Sequence, residues 1–166
     1  TIRIEIFALI VTWDKIYIVG IGDDGLKGVP AAAREMLDTA ELLIGDAHTL
    51  SLLPSGPAER LIVSTRLEDA VDCIRGAAGA AVDQNADPGR AHGNGAKRTV
   101  VVVYGDPMFY GLARYLCDRL GKDRFEVIPH VSSMQLAFAR VKESWEDAYL
   151  TNLANHPLDA IVERIR

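Results

Sequence analysis

Thr99-Val-Val-Val-Val-Tyr104 is the stretch that decides the fold. A nearly unbroken β-branched run is buried on both faces of a sheet, and two-sided burial belongs to central strands of parallel sheets. Shorter apolar runs lie around it, at Lys15–Val19, Leu42–Ile44, Leu61–Val63 and Phe125–Ile128, with helix-like stretches between them. That alternation predicts an α/β fold with a mostly parallel sheet and flanking helices. The first helix is expected from Pro30 to about Ala40, because proline is tolerated in a first turn. A second should run from Leu67 to about Val82 behind a Ser64 or Thr65 cap. Others are expected from Leu112 to Leu120, from near Ser133, and from Pro157 to Arg166.

The composition is that of an ordinary globular protein: 166 residues, 49% hydrophobic and 25% charged. A net charge of -5 argues against a nucleic-acid partner, which would need a dense Lys/Arg face. The most apolar stretch, Ile4 to Trp13, contains Glu5 and is too short to span a bilayer. It also lacks a small-residue cleavage site, so no signal peptide and no membrane association are expected. Cys73 and Cys117 stand apart and His48, His92, His130 and His156 are scattered, so no metal site and no disulfide framework are expected. Two sparse thiols fit a cytoplasmic protein. The polar, glycine-rich run Asp83–Lys97 reads as a surface loop.

Three stretches could hold chemistry. The first, Val19-Gly-Ile-Gly-Asp-Asp-Gly25, satisfies the G-x-G-x-x-G dinucleotide pattern, with Asp46 about twenty residues further on. Two features oppose that reading. Asp23 and Asp24 put negative charge where a pyrophosphate would sit, and the next helix starts only near Pro30, too late for its amides to meet a phosphate at the turn. A structural tight turn is the plainer alternative. No Gly-Lys-Ser or Gly-Lys-Thr occurs, which excludes a Walker loop.

The second stretch, Gly105-Asp-Pro-Met-Phe-Tyr-Gly111, follows the most buried strand, at the end of a parallel sheet where ligands bind. Gly105 allows close backbone approach and Asp106-Pro107 fixes a turn. Met108, Phe109 and Tyr110 offer apolar and stacking surface. This mixture suits a heteroaromatic ring with hydroxyls better than a phosphate, and Asp106 suits a cationic or hydroxylated ligand. In the third, Ile128-Pro-His-Val-Ser-Ser133, Ser132 or Ser133 can cap a helix and present amides and a hydroxyl to a cleft. His130 reads as a loop histidine more readily than as a base.

Taken in order, V-G-I-G-D-D-G, L-L-I-G-D with its following H-T-L, V-Y-G-D-P-M-F-Y-G, I-P-H-V-S-S-M-Q-L-A-F-A-R and W-E-D resemble the tetrapyrrole methylase family over about Lys15 to Arg166. The V-S-S-M-Q-L-A-F-A-R run followed by Trp145-Glu-Asp147 resembles the branch acting on precorrin-6Y or cobalt-precorrin-7. Where that branch carries a His-Gly-Arg run, this chain reads Leu153-Ala-Asn-His-Pro157.

The resemblance implies two α/β lobes with S-adenosyl-L-methionine held between them. It implies cofactor contacts from Asp23, Gly105, Asp106, Met108, Phe109, Tyr110, Ser132 and Ser133, and tetrapyrrole contacts from Gly20, Gly22 and Asp24. The expected organisation is an extra segment at 1–14, an N-terminal lobe at 15–129, and the start of a second lobe at 130–166. That second lobe is read as incomplete, since the chain begins at Thr1 and stops inside a helix-like stretch. The implied activity is C-methylation of a precorrin or cobalt-precorrin, at C5, in cobalamin biosynthesis. A homodimer and a decarboxylating C15-methyltransferase, as partner or fused domain, belong to the same implication. No catalytic base is assigned; Asp23, Asp24 and His130 are the candidates. Two rival readings stand beside it: a nicotinamide-dependent oxidoreductase using the glycine turn, and a non-catalytic domain that retains the fold.

Overall fold

A parallel sheet organises the chain. Its strands are β1 (Ile16–Ile21), β2 (Leu42–Gly45), β3 (Glu59–Ile62), β4 (Thr99–Tyr104) and β5 (Phe125–Ile128), in the order β3-β2-β4-β1-β5. The computed structural model describes residues 15–64, 66–77, 97–109, 111–148 and 162. The 1–14 segment, Thr65, the expected helix end at 78–82, the loop at 83–96, Tyr110 and nearly all of the expected helix at 157–166 lie outside the described residues.

Every strand pairing among the described residues is parallel, and β4 sits in the middle as its valine run predicts. Side chains alternate across the sheet with the two-residue period of a strand. Ile16, Ile18, Leu42, Ile44 and Val101 face α3 (Glu68–Ala77) and α4 (Leu112–Leu120), packing on Ala70, Val71, Ile74, Ala113 and Leu116. Tyr17, Val19, Ile21, Leu43, Val100 and Val102 face the other way, onto Ala33, Met36 and Leu37 of α1 (Ala31–Thr39) and Leu50 of α2 (Ala47–Ser51). Both faces are therefore dry, which is why no strand of the centre alternates apolar with polar.

Two elements have no counterpart in the sequence reading. Helix α2 is a single turn and a half, too short to leave a periodic signal, and its cap is Asp46. A 3-10 turn at Lys122–Arg124 follows Gly121, which ends α4 in a left-handed conformation at φ 91. Strand β3 also starts earlier than its apolar run, at Glu59, because it pairs only with β2 and its outer side faces solvent.

The chain divides into two compact units, Thr1–Ser132 and Ser133–Arg166. In the second, α5 (Ser133–Val141) has no buried residue, and Trp145 is exposed. No helix among the described residues is long and apolar enough to cross a membrane.

Candidate functional site

Helix α1, which follows β1, packs on one face of the sheet, whereas α4, which follows the adjacent β4, packs on the other. The two loops must diverge where these strands end, and such a switch point at the carboxyl edge is where open α/β sheets bind ligands. The site is built from the loops after β1, β4 and β5.

Their backbones meet closely. A Cβ on Gly20 would run into the Gly105 carbonyl oxygen and would lie 2.8 Å from the His130 backbone nitrogen. A Cβ on Gly105 would lie 3.5 Å from the Ser132 Cα. Gly105 takes φ +71, a conformation that glycine adopts without penalty, and its N–H donates to the Ile21 carbonyl at 2.8 Å. The structure thus brings Gly20, Gly105 and Ser132 to one place. Ser132 is buried. Ser133 opens α5 and is exposed.

Beyond Gly105 the loop is held by its own turn. Asp106 Oδ1 accepts from the Met108 amide at 2.9 Å, and the Asp106 carbonyl accepts from the Phe109 amide at 3.0 Å. Pro107 is buried beneath this turn, Phe109 is half-buried, and Met108 is 55% exposed. An exposed thioether beside a half-buried ring leaves apolar surface open to a ligand.

The β1 loop is a tight turn with acid at its tip. Gly25 N–H donates to the Gly22 carbonyl at 2.9 Å, and Asp23 and Asp24 between them are exposed. The Tyr104 phenol donates to the Asp23 carboxylate. That hydrogen bond, then burial and the Asp23 charge, push the phenol above the usual tyrosine range. Tyr104 also meets the His48 ring, centroids 5.7 Å apart. Asp24 lies by the imidazole of His130, which packs against Gly22 and Gly28.

This geometry removes the supports of the dinucleotide reading. Helix α1 begins at Ala31, six residues after Gly25, so its first amides do not serve the turn. Asp46, the expected ribose partner, is committed elsewhere: Oδ1 accepts from the Thr49 amide at 2.9 Å and Oδ2 from the Thr49 hydroxyl. Burial opposes ionisation of Asp46, but the hydrogen bonds from Thr49 and from the His48 amide outweigh it and hold the carboxyl below the usual range. Among the described residues no three His, Cys, Asp or Glu side chains cluster as metal ligands would.

Sequence reasoning passed over two members of this edge, Tyr104 as the partner of Asp23 and His130 as the wall behind Gly22 and Gly28. The only local signal for the second is the recurrence of glycine at 20, 22 and 28.

Residues 15–161 match the family described as Tetrapyrrole (Corrin/Porphyrin) Methylases. The chain is 28% identical over 141 residues to the probable cobalt-precorrin-7 C(5)-methyltransferase of Methanocaldococcus jannaschii, covering 83% of this chain and 59% of the relative. It is 30% identical over 150 residues to the decarboxylating precorrin-6Y C(5,15)-methyltransferase of Mycobacterium tuberculosis, covering 90% of this chain and 34% of that protein. It therefore spans about a third to three-fifths of the length of these relatives. Among solved structures, that of the methyltransferase CobJ aligns with a TM-score of 0.65 at 18% identity, covering 91% of this chain and 62% of the other, which speaks to the fold alone. With the match running through all five strands and the three loops at their carboxyl edge, the chain belongs to the tetrapyrrole methylases.

Proposed function

We propose that this chain is the cofactor-binding part of an S-adenosyl-L-methionine-dependent C-methyltransferase that methylates C5 of a precorrin-6Y or cobalt-precorrin-7 macrocycle in cytoplasmic cobalamin biosynthesis. Membership of the family supports methyl transfer, and the relatives named for C5 support the position. The observation that carries the reading is the convergence of Gly20, Gly105 and Ser132 at the carboxyl ends of the two central strands.

The residues fit the cofactor. Gly105, lacking a Cβ, lets its loop come close to Ser132, while Met108 and Phe109 supply apolar contact. Tyr110 and Ser133 extend the same two stretches. Asp23, Asp24 and Asp106 give the edge a negative character that favours a cation and repels a diphosphate. When bound, S-adenosyl-L-methionine supplies an electrophilic methyl group on a positive sulfur. The chain supplies position: the turns at Asp106 and at Gly22–Gly25 are held by their own hydrogen bonds, and reactants held in good orientation gain effective molarities of about 10⁵ M or more. Gly20, Gly22 and Asp24 face the macrocycle in this proposal, and Asp23, Asp24 and His130 stay the candidates to take a proton lost from it.

Ligand protection tests the reading. S-adenosylhomocysteine at about 100 times its dissociation constant should raise the unfolding free energy by roughly 2.7 kcal/mol, and NAD should not. Protection by NAD alone would overturn it.

A further inference from the structure

The His130 imidazole lies in a notch made by the β1 loop. A Cβ on Gly22 would sit 2.7 Å from His130 Cε1 and 3.3 Å from Nδ1, and a Cβ on Gly28 would sit 2.7 Å from Nε2. Real Cβ atoms do not come this close, so a side chain at either position would force the ring to shift. Neither has a left-handed backbone, so the requirement is one of space and not of conformation. On its other side the ring places Nδ1 3.3 Å from the Val131 carbonyl oxygen.

The acidic turn is consequently gripped from two strands. Tyr104, at the end of β4, holds Asp23 through its phenol. His130, after β5, stands against Gly22 and Gly28, on either side of the turn. Asp24 Oδ2 lies 2.8 Å from the same Gly28 Cβ point that Nε2 approaches, so the carboxylate and the ring share one small space. Elsewhere the loop is anchored by Val29, buried in the core, and by Leu26 packed against it, whereas Gly28 at the notch is exposed.

We infer that His130 is a positioning residue of the substrate site, its ring being the wall that fixes the Asp23-Asp24 turn against the carboxyl edge of the sheet. The inference rests on the proposed methyltransferase reading for its consequence, because that reading assigns Gly20, Gly22 and Asp24 to the tetrapyrrole. On the Gly105 side, Gly20 meets the His130 backbone nitrogen and Cβ, and Gly105 meets Ser132 and the Val131 carbonyl, none of them an atom of the ring. Loss of the ring should therefore be felt by the macrocycle and hardly by the cofactor.

The test is made on the full-length protein. His130→Ala should raise the tetrapyrrole KM about tenfold, leave kcat within about threefold, and leave the S-adenosylhomocysteine Kd within about threefold. His130→Asn, which keeps a flat group against Gly22 but does not reach Gly28, should fall between. Gly28→Ala alone should lower Tm by about 4 °C through overpacking, whereas in the His130→Ala background the same change should cost little. An unaltered KM in His130→Ala, or additive Tm losses in the double variant, would overturn the inference. Failure of S-adenosylhomocysteine to protect the unaltered protein would instead sink the methyltransferase reading, and the Gly28 cycle would still decide whether His130 holds the loop.

Discussion

Gly20 faces the carbonyl of Gly105 so closely that a Cβ on the first would run into the oxygen of the second. In the β1/β4 ladder Gly20 pairs with Val103, so this approach falls at the last rungs before the two loops part for opposite faces of the sheet. A second neighbour, the His130 backbone nitrogen, would lie 2.8 Å from the same Cβ. Both obstacles are main chain and cannot swing aside as the tip of a side chain can. Gly20→Ala is therefore expected to lower the unfolding free energy by about 3 kcal/mol, at the upper end for overpacking. The urea midpoint should fall with the m-value unchanged. A midpoint equal to that of the parent would mean that the strands end further apart.

Gly105 poses the opposite case, since space is available but the backbone is unusual. Its nearest prospective neighbour is the Ser132 Cα at 3.5 Å, an ordinary contact, while φ is +71. Gly105→Ala should cost roughly 1–2 kcal/mol of stability, the penalty of a left-handed L-residue. Because the added methyl points toward the Ser132 side of the proposed cofactor site, S-adenosylhomocysteine affinity should fall by tenfold or more. Titration calorimetry on the folded variant separates the two effects. Undiminished affinity would move the cofactor away from this loop.

Much of this architecture is legible in the sequence because burial on both faces leaves a continuous mark. The Val100–Val103 run and the Leu112–Leu120 helix stand where they were expected. Edge strand β3 is less legible: Glu59 and Ile62 are exposed and Arg60 and Leu61 half-buried, with no apolar alternation to set the start. At the site, glycine and Asp-Pro at a strand end already mark the β4 loop. The wall behind the acidic turn leaves no such mark. His130 meets Gly22 and Gly28 from about a hundred residues away, and a contact of that separation has no period and no local spacing. Tyr104 and Asp23 are hidden for the same reason.

Tyr104 should betray its partner by titration. The hydrogen bond to Asp23, then burial and the Asp23 charge, raise its pKa above the usual 10.0, so the folded state keeps the phenolic proton longer than the unfolded chain does. Between the ordinary tyrosine value and the raised one, the native state holds more protons, and stability must fall as pH rises. Tyr104→Phe should flatten that alkaline decline, and Asp23→Asn should return the phenol toward 10.0 in an ultraviolet difference titration. An Asp23→Asn protein whose Tyr104 titrates as before would exclude the hydrogen bond.

Asp46 makes the acid side testable. Burial works against its charge, yet the Thr49 hydroxyl and amide and the His48 amide together hold the carboxyl below the ordinary 3.8. The unfolded chain then binds the proton first as pH falls, so this contribution is complete above the ordinary carboxylate range and is lost as pH drops through the depressed folded value. Cap and charge are separable by substitution. Asp46→Ala removes both and should cost about 1 kcal/mol at neutral pH, the usual worth of an N-cap. Asp46→Asn keeps an oxygen for the Thr49 amide but loses the charge, so it should lie closer to the parent at neutral pH while sharing the flatter acid limb of the alanine variant. Urea unfolding from pH 7 down to pH 3 reads both effects in one series. If the three proteins lose stability in parallel on acidification, the Thr49 hydroxyl does not donate to this carboxylate, and α2 is held in place by the burial of Leu50 and Thr49 alone.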